Sequence, residues 1–180
     1  MKAMISLKSC GLAIATAIIA IASSVQAQSS GATSLVQVGC LAIQGGGYYP
    51  ENQNLVIGFQ VFTFIAYLGN PSSLNNNYLS QDLRPNQKTQ VACKLPSSNK
   101  NPRNLTLVIG IPDNHYKSNI SRLSIYKDGQ FYESRELTKG QKIEWIVDVA
   151  NVKTLGLEGQ CLSTNDKYCP AIYFLQDDLE

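Results

Sequence analysis

Five side chains near predicted turns have types that suit the binding of a small polar ligand: Tyr48, Tyr49, Asp113, His115 and Tyr116. A tyrosine ring offers a flat apolar face and a polar tip, which suits stacking on a sugar ring and hydrogen bonding to its hydroxyl groups. The three tyrosines fall in predicted loops, so we expect their rings to be exposed. We predict a ligand site at these five residues; the alternative is that the tyrosines only cover the edges of the domain.

Nucleophilic and phosphate-binding chemistry has little support in the chain. His115 is the single histidine, so any Ser–His–Asp mechanism has to use it as the base. A lone histidine in an Asp- and Asn-rich turn is typical of a solvated loop residue. Gly45–Gly47 lacks the Lys-Ser/Thr of a phosphate-binding loop, and the sequence contains no Gly-x-Ser-x-Gly motif. We predict that the protein is not an enzyme and needs no cofactor.

The carboxylates give no clear catalytic or metal site. Glycoside hydrolysis needs two acids about 5–10 Å apart in a cleft. Glu144 and Asp148 share one face of a predicted strand, but a solvated sheet face explains them as well. Asp177, Asp178 and Glu180 form an acidic C-terminal segment. We expect that segment to be solvated, with a structural calcium site as the alternative.

The N-terminal segment has the order of a secretory signal peptide. Lys2 and Lys8 form a positive region, Cys10–Ala22 is apolar and uncharged, and Val25–Ala27 supplies a small-x-small cleavage site. The apolar stretch is shorter than the roughly 20 residues that a membrane span needs. We predict cleavage after residue 27, a secreted, periplasmic or extracellular location, and no membrane span in the mature chain.

The charge balance bears on the partner. The whole chain has a formal charge of +2, and both surplus charges are the lysines of residues 1–27, so residues 28–180 are neutral. A neutral domain has no net attraction for nucleic acid or acidic lipid, so we predict no nucleic-acid partner. The remaining length suits one domain, which we place at residues 28–180.

The four cysteines that follow the signal sequence predict two disulfides, because exported proteins oxidise their thiols. Four cysteines allow three pairings. We favour Cys161–Cys169, which a short polar loop separates, and this leaves Cys40–Cys93. A metal site is the weaker interpretation, because there is no Cys-x-x-Cys motif and only one histidine.

Short apolar segments separated by turn residues predict an all-β protein. Asp128-Gly129 is a strong hairpin signal, Gly58 reads as a bulge or bend inside one long strand, and Trp145 alternates with core residues. The predicted strands are Leu35–Ile43, Leu55–Leu68, Thr89–Leu95, Leu105–Ile111, Arg122–Tyr126, Phe131–Leu137, Ile143–Val149, Leu155–Leu157 and Ala171–Leu175. The predicted fold is an antiparallel β-sandwich of jelly-roll type.

The C-terminal half resembles the NPCBM group of carbohydrate-binding modules, which are galactose-binding-like jelly rolls often attached to glycoside hydrolases. The matching pieces, in order, are Val108–Ile111 with Asp113, Leu123–Gly129, Ser134–Leu137, Val147–Val149 and Val152–Leu157. The Gly-Ile-Asp of the family is interrupted here by Pro112, and no histidine precedes His115. The ligand contacts of the family are therefore not carried over to this chain.

Export, neutrality, the tyrosines and this resemblance together predict a non-catalytic module that binds neutral carbohydrate or a cell-surface glycan. One alternative is a structural or protein-interaction domain of the cell envelope with no sugar ligand, which an exposed apolar edge at Phe59–Phe64 favours. A small secreted hydrolase or inhibitor that uses the His115 loop is a further alternative.

Overall fold

A computed structural model describes residues 32–71, 82–85, 87–96, 102–115, 120–162 and 168–180. The predicted signal peptide and Tyr116 lie outside these ranges. The described residues form one short helix and thirteen strands. Their bounds are β1 Thr33–Ser34, α1 Leu35–Val38, β2 Cys40–Gln44, β3 Gly47–Ile57, β4 Gln60–Gly69, β5 Asp82–Leu83, β6 Lys88–Lys94, β7 Asn104–Gly110, β8 Ser121–Lys127, β9 Gln130–Leu137, β10 Lys142–Asp148, β11 Thr154–Cys161, β12 Cys169–Pro170 and β13 Ile172–Leu179.

The strands form two large sheets and one small sheet. The six-stranded sheet has the order β10-β7-β13-β4-β3, and β1 pairs with β13 at its side. The five-stranded sheet has the order β2-β6-β11-β8-β9, and β12 pairs with β5. All pairs of named strands are antiparallel. These sheets confirm the predicted antiparallel β-sandwich.

The main core combines the alternating apolar side chains of both large sheets. Leu105 and Leu107 of β7 belong to one buried cluster with Leu155 and Leu157 of β11, and each is at most 1% exposed. Trp145 of β10 joins this cluster at 4% exposure, as predicted. Because side chains alternate along each strand, the residues between the buried ones lie on the outer faces of the sheets.

Residues 55–68 form a hairpin, so the prediction of one strand with a bulge at Gly58 is wrong. β3 ends at Ile57 and β4 begins at Gln60, with Gly58 and Phe59 at φ of 58° and 63°. Two successive residues with positive φ form the turn that matches the twist of a two-residue hairpin. Phenylalanine rarely adopts this conformation, so the local sequence does not predict the turn.

The first predicted strand, Leu35–Ile43, is wrong in its first half. Ser34 caps the single-turn helix α1 by accepting a hydrogen bond from the Val36 N–H at 3.0 Å, with Gln37 completing the capping box. Gly39, at φ 79°, ends the helix, and only then does β2 begin.

Two other local predictions agree with the structure. Asp128 and Gly129, at φ of 47° and 83°, form the turn between β8 and β9. Cys40 is bonded to Cys93 and Cys161 to Cys169, so the favoured pairing is confirmed. The first of these disulfides ties the edge strand β2 directly to β6, where the two cysteines are register partners.

Candidate functional site

Tyr48 is a buried structural residue of β3, not an exposed loop residue. Its hydroxyl donates a hydrogen bond to Asp177, and so does the Ser34 hydroxyl, both at 2.5 Å. The Val36 N–H also donates to this carboxylate. The prediction of a solvated acidic segment is therefore wrong for Asp177 and Asp178, which are 0% and 6% exposed. Burial raises the pKa of Asp177 above its ordinary value, although its donors favour the ionised form.

Tyr49 also lies in β3, and its ring stacks on Tyr67 with the centroids 5.1 Å apart. Tyr67 in turn lies 6.3 Å from the buried ring of Tyr173. Burial, with smaller effects from Glu51 and Tyr49, raises the pKa of Tyr67 to about 12. Tyr49 is therefore part of an aromatic cluster on the six-stranded sheet. Its half-buried ring is less accessible to a ligand than the predicted loop position implies.

Asp113 holds the turn of the β3–β4 hairpin. Its carboxylate accepts hydrogen bonds from the N–H groups of Gly58 at 2.9 Å and Phe59 at 2.8 Å. Its own N–H donates to the Val56 carbonyl at 2.8 Å. These three bonds attach the hairpin to the segment after β7, and they explain how Phe59 is kept at positive φ.

His115 is buried, so the prediction of a solvated loop histidine is wrong. It is 4% exposed, and its Nε2 lies 3.2 Å from the Oδ1 atom of Asp82. Asp82 pairs with Pro170 in the small sheet. The histidine therefore packs against that sheet.

The predicted site residues thus contact separate parts of the chain. Tyr48 contacts Asp177, Tyr49 contacts Tyr67, Asp113 contacts the hairpin turn and His115 contacts Asp82, while Tyr116 lies outside the described residues. None of the four described residues among them lines the groove described next. Their contact with a ligand stays a prediction.

A groove of about 310 Å³ lies on the outer face of the five-stranded sheet. We call it the sheet groove. Its lining includes Ile43, Gln90, Ala92, Tyr126, Gly156 and Glu158. The volume is at the lower end of the range for small-molecule sites, which are mostly apolar with a few convergent polar groups.

Small residues on the central strands make the depression. Gly156 of β11 lies between Ala92 of β6 and Tyr126 of β8 in the sheet register. A Cβ atom at position 156 would lie 3.1 Å from the Tyr126 Cβ, so the glycine allows the tyrosine to pack closely across β11. Glycine inside a strand often marks such a close approach.

A buried carboxylate lies at the polar centre of the sheet groove. Glu158 is 3% exposed, although it is on the outer face of β11. It accepts hydrogen bonds from the Gln90 amide at 2.5 Å, from the Lys88 ammonium at 3.2 Å and from the Tyr126 hydroxyl at 3.3 Å. Its other oxygen lies 3.0 Å from Lys88 Nζ, whose side chain is 47% exposed.

These contacts have electrostatic consequences. Hydrogen bonding and charge attraction to Glu158 raise the pKa of Lys88. Burial, followed by the Glu158 charge, raises the pKa of Tyr126, so this phenol stays protonated and can donate. The arrangement is a charge-balanced set of donors and acceptors fixed on three neighbouring strands, which suits hydrogen bonding to a polar neutral ligand.

Exposed apolar side chains stand on both sides of this polar centre. Leu41 and Ile43 of β2 are 78% and 65% exposed. On the other side Phe131 of β9 is 60% exposed, and its ring meets the Tyr126 ring edge-on with centroids 5.8 Å apart. The sheet groove therefore combines a mostly apolar surface with a few polar atoms.

Sequence reasoning did not identify this site. Glu158 alternates with Leu155 and Leu157, so it reads as an ordinary solvated position on a strand. The available signal was Gly156, because a glycine in the middle of a strand marks a place where another group approaches the backbone. Gln90 and Tyr126, which donate hydrogen bonds to Glu158, come from distant segments of the sequence.

The described part of the chain contains no group of three or more His, Cys, Asp or Glu side chains that could hold a metal ion. Within the same ranges, no helix combines the length and the apolar character needed to cross a membrane.

No protein-family model matches the sequence, and no curated protein does. Solved structures do share its fold. One is CBM51 from Clostridium perfringens GH95 in complex with methyl-galactose, with a TM-score of 0.57 and 11% identity, and the match covers 83% of this chain and 99% of that one.

Two further matches come from Clostridium perfringens ZmpB. CBM51-2 in complex with GlcNAc, with the INT domains, gives a TM-score of 0.57 at 14% identity over 83% of this chain and 31% of that chain. The M60 catalytic domain with CBM51-1 and CBM51-2 gives 0.55 at 14% identity over 82% and 15%. This chain therefore spans less than a third of either ZmpB structure. At such identities the likeness concerns the fold alone, and it confirms the predicted jelly-roll β-sandwich.

Proposed function

We propose that this chain is a secreted, non-catalytic module that binds neutral carbohydrate, such as a cell-surface glycan, in the sheet groove. The observation that carries the proposal is the buried Glu158 carboxylate in an open groove. It accepts hydrogen bonds from Gln90 and Tyr126, which also line the groove, and from Lys88. Sugars have hydroxyl edges and apolar faces, so they need both polar groups and flat apolar surfaces. The sheet groove supplies both.

The charge of the groove favours a neutral ligand. Lys88 and Glu158 compensate each other, and residues 28–180 carry no net charge. An acidic polysaccharide would need additional cations to repay the loss of its hydration. A neutral sugar can exchange its water contacts for hydrogen bonds from side chains that the protein has already oriented.

Binding without hydrolysis is the chemistry that this groove supports. Hydrolysis of a glycosidic bond generally uses two carboxyl groups on opposite sides of the bond. Among the described residues that line the sheet groove, Glu158 is the single carboxylate, and its oxygens already accept three side-chain donors. Its role in the proposal is therefore to orient the Gln90 and Tyr126 side chains.

The fold and the N-terminal sequence support the rest of the proposal. The NPCBM-like motifs and the structural likeness to CBM51 modules agree, and two of those structures contain GlcNAc or methyl-galactose. The signal-peptide pattern of residues 1–27 supports secretion, and so do the two disulfides, which form in oxidising compartments.

A glycan array and affinity gels containing neutral polysaccharides test the function, with calcium present and absent. We expect retention by at least one neutral glycan and its loss in Gln90→Ala, which removes a donor from the groove floor. The matched control is Gln160→Ala, on the same sheet outside the groove lining. Absence of any carbohydrate affinity, or equal losses in both variants, would refute the proposed site.

One observation favours an interaction domain of the cell envelope as a second candidate. At the β3–β4 hairpin, Phe59 is 98% and Val61 is 70% exposed, whereas Phe64 is fully buried. The predicted apolar edge therefore exists at the hairpin turn only. Self-association in analytical ultracentrifugation that Phe59→Ser abolishes would favour this function; a monomer at all concentrations would count against self-assembly.

A further inference from the structure

The sheet groove crosses four strands of its sheet. Its lining comes from β2, β6, β11, β8 and the turn between β8 and β9, which follows the order of the sheet. Because neighbouring strands lie about 4.8 Å apart, a path over four strands is roughly 14 Å long. That path is longer than a single sugar ring.

The groove begins at one edge of the five-stranded sheet and ends next to the other edge, at the turn between β8 and β9. Among the described residues β2 and β9 are the two edges, so neither pairs there with a further strand of this sheet. The side chains there are exposed: Ile43 is 65% and Phe131 is 60% exposed. A site that selects the end of a sugar chain needs side chains that block the chain from continuing. Ile43 and Phe131 instead offer exposed apolar surface on which further sugars can lie.

Polar and apolar groups alternate along the same path. Ile43 comes first, Glu158 with Gln90 and Tyr126 lies in the middle, and Phe131 follows beyond Tyr126. A chain that runs across the strands would therefore place hydroxyl groups of a central sugar over the carboxylate cluster. The sugars before and after it would lie on the exposed side chains of Ile43 and Phe131.

We propose that the sheet groove binds the interior of a linear neutral glycan that lies across the strands, rather than one terminal sugar. This inference rests on the proposed function and specifies its ligand. Gln90 and Tyr126 bind the central sugar, and Ile43 and Phe131 contact its neighbours along the chain. Affinity then depends on chain length, and it does not depend on the chemistry of either chain end.

The test is calorimetry with linear oligosaccharides of one to six units prepared from cellulose, mannan, xylan, galactan and chitin. We expect affinity to rise by at least about tenfold between the monosaccharide and the longest chain of the preferred series. Reduction of the chain end to an alditol should leave the affinity of the longest chain unchanged, because that end lies outside the groove.

Matched variants locate the contacts. Ile43→Ala and Phe131→Ala should weaken binding of the longest chain several-fold and leave the monosaccharide affinity unchanged. Ile146→Ala and Phe59→Ala are their controls, since these residues are 62% and 98% exposed and belong to the strands and hairpin of the other sheet. All four side chains are exposed, so folding should survive each change.

The outcomes separate the two proposals. Equal affinity for one unit and for six, lost in Gln90→Ala, overturns the interior-chain inference and leaves the carbohydrate-binding function standing. The same holds if alditol formation abolishes binding. Absence of binding to every series overturns the proposed function, and the inference falls with it.

Discussion

Gly156 and Tyr126 are register partners on β11 and β8, and a Cβ at position 156 would lie 3.1 Å from the Tyr126 Cβ. The glycine therefore both admits the tyrosine and leaves the floor of the sheet groove open. A side chain at this position has to shift Tyr126 or enter the groove. In either case the site changes while the core beneath it stays in place.

Gly156→Val should accordingly lower glycan affinity by at least about tenfold, with Gly156→Ala intermediate. Valine favours a strand, so we expect the free energy of unfolding to change by about 1 kcal/mol or less. Binding calorimetry and urea unfolding measure the two quantities. Gln160→Val, on the same strand face, is the control; unchanged affinity in Gly156→Val would show that the ligand binds elsewhere.

Asp177 should make the free energy of unfolding larger at acidic pH than at neutral pH. Burial raises its folded-state pKa above the ordinary 3.8, so its contribution to stability is present below that value and is lost as the pH rises through the folded pKa. Asp177→Asn removes this loss. We expect unfolding free energies between pH 3.5 and 7 to decline less in the variant than in the wild type.

The readout for Asp177 is the slope with pH rather than the absolute stability, since asparagine also alters the hydrogen bonds to Ser34 and Tyr48. Asp148→Asn is the control, because Asp148 is exposed on β10. Parallel pH curves for the wild type and Asp177→Asn would contradict the raised pKa.

Asp113→Ala should loosen the hairpin turn without affecting the sheet groove. Two N–H groups lose their acceptor, so we expect a destabilisation of about 1–2 kcal/mol. The amides of Gly58 and Phe59 should exchange faster with deuterium. If glycan affinity fell instead while stability held, the sequence-based assignment of Asp113 to the ligand site would be correct.

Phe59→Gly should partly offset that loss, because Phe59 has a φ of 63° and glycine adopts this conformation at no steric cost. The expected gain in unfolding free energy is about 1 kcal/mol, measured by urea denaturation. A loss of stability would mean that the exposed ring makes contacts that outweigh its backbone strain.

The two disulfides should differ in their contribution. Loop-closure entropy assigns about 4 kcal/mol to Cys40–Cys93, whose cysteines are 53 residues apart, and about 2.5 kcal/mol to Cys161–Cys169, which are 8 apart. Paired alanine substitutions and denaturant unfolding test this ranking. The first pair should also weaken glycan binding, since its bridge anchors β2 with Ile43; the second should not.

The sequence by itself determined the all-β class and several strands of the sandwich. Alternation along Leu105–Ile109 and the Asp128-Gly129 turn are local properties, because side chains alternate along any strand and these turn residues tolerate positive φ. The disulfides followed from the even cysteine count and from the short loop between Cys161 and Cys169.

Tertiary structure decided what local patterns could not. Phe59 adopts positive φ because Asp113, far along the chain, accepts the N–H groups of its turn. Asp177 is buried because Ser34 and Tyr48 meet it from other elements.

The sheet groove belongs to the same class of feature. Ile43, Gln90, Tyr126 and Glu158 come from four segments, and they become neighbours only through the strand order β2-β6-β11-β8-β9. Glu158 reads as a solvated position because each strand shows only its own alternation. Its burial is a property of the three side chains that neighbouring strands place around it, and no single stretch of sequence contains that information.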